Sequence, residues 1–160
     1  NVSVSILGLI PKSKQNVPVS QLLVDKSPKS LIAEAFRSIR TNLQFISNEP
    51  DAKVIALTST ISGEGKTFVS YNLANAYAHL DKKVILIGAD FRNPQLHKYL
   101  EQTRKAHKGF SNYLHDPAVQ WQDLICKVEE EEFSFDVLLS GDILQTPPLG
   151  QPEFFNGARN

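Results

Sequence analysis

The stretch SGEGKTFVS, residues 62–70, directly follows the apolar run VIALTST. We expect a buried strand over residues 53–58 (KVIALT), then a glycine-rich turn, then a helix. The apolar face of that helix is formed by residues at helical spacing, namely Phe68, Val69, Leu73, Ala76, Tyr77 and Leu80. A glycine turn between a strand and a helix is a common setting for anion binding at a helix N-terminus.

Within this turn, Gly63, Gly65, Lys66 and Thr67 stand in the order of a phosphate-binding P-loop. Glycines let backbone N–H groups approach phosphate oxygens, the lysine neutralises phosphate charge, and the threonine hydroxyl can ligate Mg²⁺. The strict pattern G-x-x-x-x-G-K-[ST] fails at its first position, where Thr60 replaces glycine. The alternative is an ordinary turn that contains GKT by chance. The flanking strand and helix favour the P-loop.

A second candidate site follows the next apolar run, KVILI at residues 83–87. Asp90 and Arg92 come just after the carboxyl end of this predicted parallel strand, where open α/β sheets bind ligands. An aspartate there can hold the Mg²⁺ coordination sphere or accept a proton from an attacking hydroxyl. The alternative is an aspartate that caps a helix, beside a solvated arginine.

The rest of the chain alternates strand-like and helix-like segments. Further strands are expected at residues 2–11, ended by Pro11, and at residues 135–139 (FDVLL). Further helices are expected from an N-cap at Ser30 to a point before Pro50, and over residues 118–128 (AVQWQDLICKV), with Trp121 in the core. This alternation predicts an α/β fold of the P-loop NTPase type, with a mostly parallel sheet flanked by helices.

Composition limits the class of protein. A chain of 160 residues with 41% hydrophobic residues can bury one ordinary core, so we expect one compact domain. The charges of its 17 basic and 17 acidic residues cancel, which argues against non-specific electrostatic binding to nucleic acid or anionic lipid. The single cysteine, Cys126, and the absence of a membrane-length apolar run favour a soluble, cytoplasmic chain.

Four segments together resemble the bacterial tyrosine kinases of capsular and exopolysaccharide biosynthesis. They are EAFRSIRTNLQF, TSTISGEGKT, VILIGADFRNPQLH and KGFSNYL. The resemblance spans residues 6–143, whereas the P-loop alone would reach only the wider group of deviant-Walker ATPases, which includes ParA and MinD type partition proteins. It implies a protein-tyrosine autokinase domain that uses ATP and Mg²⁺ and regulates polysaccharide chain synthesis and export.

The resemblance also implies roles for single residues. Lys66 and Asp90 would be catalytic, and Thr67 and Asp90 would hold Mg²⁺. The nucleotide would be bound by a set of seven neighbours, Ser62, Gly63, Glu64, Gly65, Lys66, Thr67 and Phe68. The family's second Walker-type motif often carries two aspartates, and here Gly88 stands at the first position, so Asp90 must carry more of the role.

Glu34, Arg37 and Arg40 form the pattern E-x-x-R-x-x-R on the first predicted helix. Spacings of three place them near one stripe of that helix. In the resembled family this motif docks against a neighbouring subunit in a ring-shaped oligomer. The alternative is a solvated charged face with an internal Glu34–Arg37 pair. The resemblance further implies a membrane polysaccharide co-polymerase or activator segment and a tyrosine phosphatase as partners, at the cytoplasmic face of the bacterial inner membrane.

We divide the chain into an N-terminal strand and linker that follow an absent membrane region (residues 1–29), a P-loop kinase core (30–143) and an atypical tail (144–160). Where the family continues to a Walker B strand and a tyrosine-rich tail, this chain ends in SGDILQTPPLGQPEFFNGARN. We interpret the fold as incomplete at the C-terminus and the tail as frameshifted or otherwise altered. Two rival functions stay open, a partition-type ATPase and a catalytically inactive assembly fragment.

Overall fold

The computed structural model describes residues 5–12, 29–46, 54–100, 108–130 and 132–141. Its α-helices and strands, in chain order, are α1 (Leu31–Ile46), α2 (Lys66–Ala78), β1 (Ile85–Ile87), α3 (Phe110–His115), β2 (Ile125–Glu129) and β3 (Ser134–Leu138). Two short 3-10 helices cover Leu96–Leu100 and Trp121–Leu124.

The described part of the sheet has the strand order β1-β3-β2. Strand β1 is parallel to β3, and β2 is antiparallel to β3, so this part of the sheet is mixed. The runs KVILI and FDVLL are confirmed as strands, since they contain most of β1 and β3. No helix among the described residues is long and apolar enough to cross a membrane.

Helix α1 begins and ends where the sequence predicts. The Ser30 hydroxyl accepts a hydrogen bond from the Ala33 N–H at 3.1 Å, which satisfies one of the free donors of the first turn. The helix ends at Ile46, before Pro50. Its buried residues, Ala33, Phe36 and Ile39, recur at helical spacing.

Helix α2 is buried on two sides. Tyr71, Ala74 and Ala78 pack into the cluster that lines the sheet, whereas Leu73 and Ala76 pack into the cluster shared with α1. Every residue from 71 to 76 is buried. The predicted helix is confirmed up to Ala78, while Leu80 lies beyond its end. A fully buried large apolar side chain contributes about 1.5–3 kcal/mol, so residues such as Leu73 stabilise this position of the helix.

The strand predicted at the start of the chain is wrong over the described residues 5–12, which form no strand. This segment lies along α1 instead. The Asn42 side chain donates a hydrogen bond to the Leu7 carbonyl at 2.7 Å, and a Cβ added to Gly8 would lie 2.6 Å from Cγ1 of Ile39. Contacts with a helix have therefore taken the place of a β ladder.

The strand predicted over residues 53–58 is also wrong for residues 54–58, while residue 53 lies outside the described residues. The segment is exposed, with Val54 at 99% and Leu57 at 37%. None of the three described strands pairs with it. A strand is stabilised by a neighbouring hydrogen-bonded strand, so an apolar run without one stays irregular.

The helix predicted over residues 118–128 is wrong. Only Trp121–Leu124 is helical, as a 3-10 turn, and Ile125–Glu129 forms β2. In the antiparallel register Cys126 stands opposite Val137 and Val128 opposite Phe135, so alternate residues of β2 join the core. Trp121, predicted in the core, is 40% exposed.

The predicted tail, residues 144–160, lies outside the described residues, so its interpretation stays a prediction. The boundary between the linker and the core, at residues 29 and 30, falls at the start of α1. The proposed division into three segments likewise stays a prediction.

The start of α3 is fixed against the end of β3. The Phe110 N–H donates to the Leu139 carbonyl at 2.8 Å, and the Ser111 N–H donates to the Ser140 carbonyl at 2.9 Å. This close approach requires a residue without a side chain at position 109, because a Cβ added to Gly109 would lie 2.3 Å from the Gly141 nitrogen.

We predict that Gly109→Ala destabilises the chain by about 1–3 kcal/mol, because the added methyl group must displace backbone atoms. The measurement is urea unfolding followed by circular dichroism. The matched control is Lys108→Ala at the exposed neighbouring position, which should change stability by less than about 0.5 kcal/mol. Equal stabilities of the two variants would contradict the packing argument.

Candidate functional site

The glycine loop between residue 59 and α2 has an open space in front of it. Gly63 and Gly65 adopt φ angles of 87° and 93°, in the left-handed region that favours glycine. A Cβ added at either residue would meet nothing within 4 Å. A group such as phosphate could therefore approach this backbone closely.

Helix α2 begins directly after this loop. Gly65 is its N-cap and offers no side-chain hydrogen bond, while the Gly65 carbonyl accepts from the Val69 N–H at 2.9 Å. The N–H groups of the first helical turn are thus not satisfied by a capping side chain. Together with the positive end of the helix dipole, they favour an anion at this position.

Lys66 lies over the loop. Its Nζ donates a hydrogen bond to the Ser59 hydroxyl at 2.7 Å, and Ser59 in turn donates to the Ile61 carbonyl at 2.8 Å. The lysine side chain therefore folds back across the turn from the first position of α2. This brings its charge to the place where the sequence predicts phosphate contacts, although its catalytic role stays a prediction.

Glu64 forms a network that the sequence analysis missed. Its carboxylate accepts hydrogen bonds from the Thr60 N–H at 3.1 Å, the Thr60 hydroxyl at 3.2 Å and the Ile61 N–H at 3.4 Å. The bond from Ile61, with smaller contributions from Ser59 and Thr60, lowers the pKa of Glu64. A threonine and a glutamate four residues apart across a turn were the available signal.

The other predicted nucleotide-binding residues differ in what their side chains do. The Phe68 ring packs against Phe36, with ring centroids 5.8 Å apart, so its side chain belongs to the core. Only the backbone of Phe68 is left for the loop. Ser62 is exposed in the turn, and Thr67 is half-buried at the start of α2.

Asp90 is held by its own turn. One carboxylate oxygen, Oδ1, accepts hydrogen bonds from the Arg92 N–H at 3.2 Å and the Asn93 N–H at 2.9 Å. These bonds close a local turn and cap no helix, because the next helical segment begins only at Leu96. The carboxylate is also exposed and follows the carboxyl end of β1 by three residues, as the ligand-binding interpretation requires.

Thr67 and Asp90 could hold Mg²⁺ only if phosphate oxygens and water supplied the other ligands. Across the described residues, no group of three or more His, Cys, Asp and Glu side chains is arranged to hold a metal ion. Mg²⁺ is usually held by one or two protein oxygens and completes its coordination with phosphate oxygens and water. The Thr67 hydroxyl and the Asp90 carboxylate have the right donor chemistry for such a shared site.

The three residues of the E-x-x-R-x-x-R motif do not act as one group. Glu34 and Arg37 form an exposed ion pair at 2.8 Å, as the alternative interpretation expects. Arg40 instead donates from Nη1 to the Ala76 carbonyl in the last turn of α2, at 2.6 Å. A guanidinium there satisfies a helix-end carbonyl and complements the negative end of the helix dipole.

Residues 55–145 match the model of the CobQ/CobB/MinD/ParA nucleotide-binding domain, and the chain belongs to this family. The match confirms a nucleotide-binding domain of the P-loop type and so favours the P-loop over a chance GKT, while the roles of the individual turn residues stay predictions. The predicted P-loop NTPase fold is confirmed by the same match and by the structural neighbour described below.

The chain is similar to proteins named as tyrosine kinases, as the sequence resemblance predicts. It is 38% identical over 122 residues to tyrosine-protein kinase YwqD of Bacillus subtilis (strain 168), which covers 75% of this chain and 48% of YwqD. It is 40% identical over 145 residues to tyrosine-protein kinase wzc of Salmonella typhi, which covers 91% of this chain and 19% of that protein.

Among solved structures, the kinase domain of Escherichia coli tyrosine kinase ETK has a TM-score of 0.74 and 28% identity, over 91% of this chain and 58% of that chain. The chain thus spans about half of YwqD and of the ETK kinase domain.

We predict that Arg40→Ala destabilises the chain by about 1–2 kcal/mol, because it leaves a helix-end carbonyl without its charged donor. Arg37→Ala is the matched control. It removes the same side chain from an exposed pair of the same helix, and should cost no more than about 0.5 kcal/mol. Urea unfolding of both variants, at protein concentrations where each is monomeric, gives the comparison. Equal losses would contradict the capping role of Arg40.

Proposed function

We propose that this chain is the ATP-binding part of a bacterial protein-tyrosine kinase that regulates capsular or exopolysaccharide synthesis and export. The observation that carries the proposal is the open glycine loop at the start of α2, with the Lys66 side chain folded over it. Membership of a nucleotide-binding family and similarity to proteins named as tyrosine kinases support it. The reaction would transfer the γ-phosphate of ATP to a tyrosine hydroxyl.

The residues of the loop would bind and orient the nucleotide. Backbone N–H groups from Gly63 to Thr67 would donate hydrogen bonds to phosphate oxygens, and Lys66 would leave Ser59 to neutralise phosphate charge. Thr67 and Asp90 would hold Mg²⁺, which when bound offsets charge on the phosphates. Catalysis of this kind depends on positioning and charge neutralisation rather than on a covalent intermediate.

Asp90 would be the group that holds the proton of the attacking tyrosine. Only its Oδ1 is engaged by the Arg92 and Asn93 N–H groups. These donors fix the carboxylate on its turn, and an exposed carboxylate at the carboxyl edge of the sheet can reach a ligand bound there. The presence of Gly88 instead of a second aspartate makes Asp90 the acidic residue to which we assign this role.

We further propose that the chain associates with copies of itself through α1. Glu34 and Arg37 would supply the charged contacts, since the Glu34 side chain is 69% accessible and the Arg37 side chain 29% accessible. Arg40 would contribute less directly, because it is bound to α2. Other proposed partners are a membrane polysaccharide co-polymerase or activator segment and a tyrosine phosphatase, with the full-length protein at the cytoplasmic face of the inner membrane.

A partition-type ATPase is the second candidate, because the family that includes this chain also includes MinD and ParA. Such a protein hydrolyses ATP to change its own association or its binding to a surface. It would release phosphate without forming phosphotyrosine, and this difference separates the two candidates. A non-enzymatic assembly fragment would self-associate without binding nucleotide.

We predict that the chain binds Mg²⁺-ADP saturably and that Lys66→Met abolishes measurable binding, because the loop loses its charge on the phosphates. Isothermal titration calorimetry gives both affinities. Lys82→Met is the matched control, since Lys82 is exposed beyond the other end of α2 and should leave binding unchanged. Incubation with Mg²⁺-ATP and a glutamate–tyrosine copolymer should then yield phosphotyrosine that Lys66→Met does not form.

The outcomes separate the candidates. Phosphate release without phosphotyrosine would favour the partition-type ATPase. Failure of the unmutated chain to bind Mg²⁺-ADP would contradict the proposed function, and self-association without binding would point to the assembly fragment.

We also predict that Arg37→Glu shifts self-association towards monomer, because it places two negative charges side by side on α1. Sedimentation velocity at low salt is the measurement. Lys98→Glu makes the same charge change at an exposed position outside α1 and should leave the sedimentation profile unchanged. Self-association equal in both variants would contradict a role for the Glu34–Arg37 surface.

A further inference from the structure

Thr60 stands where the strict P-loop pattern has glycine, and its two donors both bind the same glutamate. The Thr60 N–H and hydroxyl reach the Glu64 carboxylate at 3.1 and 3.2 Å, and the neighbouring Ile61 N–H reaches it at 3.4 Å. A glycine at position 60 could supply only the first of these donors. The departure from the pattern therefore coincides with a contact that needs a hydroxyl.

We propose that Thr60 and Glu64 are positioning residues that hold the phosphate loop in its binding conformation before the nucleotide arrives. This inference rests on the proposed function, because it assigns the pair a role at the nucleotide site. Neither side chain is required to touch the phosphates. Both act through the backbone between them.

The position of the contact in the chain explains how it acts. The hydrogen bonds close a short ring from residue 60 to residue 64, and Gly63 lies inside that ring. Glycine loses more backbone freedom on ordering than any other residue, so a loop with two left-handed glycines is costly to fix at the moment of binding. A side-chain bridge across the loop removes part of this cost in advance.

Lys66 is held at the start of the same loop. Its Nζ donates a hydrogen bond to the Ser59 hydroxyl at 2.7 Å, and Ser59 directly precedes Thr60. Ser59 also donates to the Ile61 carbonyl at 2.8 Å, inside the segment that Thr60 and Glu64 close, so the lysine is held beside the same bridged loop. The charge that must neutralise phosphate is kept close to its place of action without being buried.

Exposure distinguishes this role from a contribution to the core. Thr60, Ile61 and Glu64 are all exposed, and Ile61 is 66% accessible. Removing the bridge should therefore change the loop and leave the packing around α2 intact. A purely structural residue would lower the melting temperature without a matched change in nucleotide affinity.

The experiment is calorimetric titration of Mg²⁺-ADP into the full chain and four variants. Thr60→Val keeps the shape of the Thr60 side chain but removes its hydroxyl, and it leaves the charge of Glu64 in place. Glu64→Ala removes the acceptor. Each should weaken binding about three- to tenfold, the range expected for one or two hydrogen bonds. Thr60→Ser retains the hydroxyl and should bind like the unmutated chain. The fourth variant combines Thr60→Val with Glu64→Ala. It should bind Mg²⁺-ADP no more weakly than Glu64→Ala alone, since the two residues act through one contact.

Melting temperatures without nucleotide, measured by circular dichroism, should agree within about 2 °C for all variants, as expected for exposed substitutions.

Unchanged affinity in both Thr60→Val and Glu64→Ala would overturn the proposal. Tighter binding by Glu64→Ala would also overturn it, because it would mean that the charge of Glu64 only repels phosphate. Equal losses in Thr60→Ser and Thr60→Val, or losses that follow the melting temperature, would also overturn it. No binding by the unmutated chain would overturn the proposed function together with this role, whereas normal binding by every variant would overturn this role alone.

Discussion

The burial of α2 between the sheet and α1 is the constraint on which the rest of the structure depends. One side of the helix, with Tyr71, packs against Phe135 of β3, with ring centroids 5.7 Å apart. The other side, with Leu73, packs against α1. A helix held on both sides cannot slide or turn without breaking two apolar contacts, because protein interiors are close-packed. The glycine loop at its N-terminus therefore has a fixed base.

This arrangement also explains how the loop keeps a defined conformation with little packing of its own. Gly63 and Gly65 have no side chains, and Ser62 and Glu64 are exposed, so this part of the loop contributes little packing of its own. Its conformation comes from the helix that follows and from the contacts of Thr60 and Glu64 in front of it. The family relationship is consistent with this division, since a nucleotide-binding domain needs a rigid base and an open loop.

The sequence predicted α1, α2 and the glycine turn because their signals are local. The cap at Ser30 and the glycines at 63 and 65 determine the backbone within a few residues. The strand at residues 53–58 could not be predicted with the same security, since a strand depends on a partner that may come from a distant part of any chain. Over residues 118–128 the spacing of apolar residues fits a helix, but Cys126 and Val128 also fit the alternation of a strand.

The candidate site shows the same division between local and distant signals. The left-handed glycines of the loop follow from a short local motif, whereas the nucleotide contacts of residues 62–68 stay predictions. The hydrogen bonds of Asp90 to the Arg92 and Asn93 N–H groups were not predictable from the sequence, and only the three-dimensional structure shows that one carboxylate oxygen is used by a turn and not by a helix cap. The separation of Arg40 from Glu34 and Arg37 was not predictable from spacing, since its partner is a backbone carbonyl 36 residues further along the chain.

The contact of Arg40 with Ala76 has a thermodynamic consequence. It ties α1 to one end of a 13-residue helix, about 20 Å long, whose other end begins at the glycine loop. If an event at the α1 surface changes the affinity of the loop through this helix, linkage requires that a ligand in the loop change the affinity at α1 by the same factor. In that case nucleotide binding at the loop and subunit association at α1 would be thermodynamically coupled through α2.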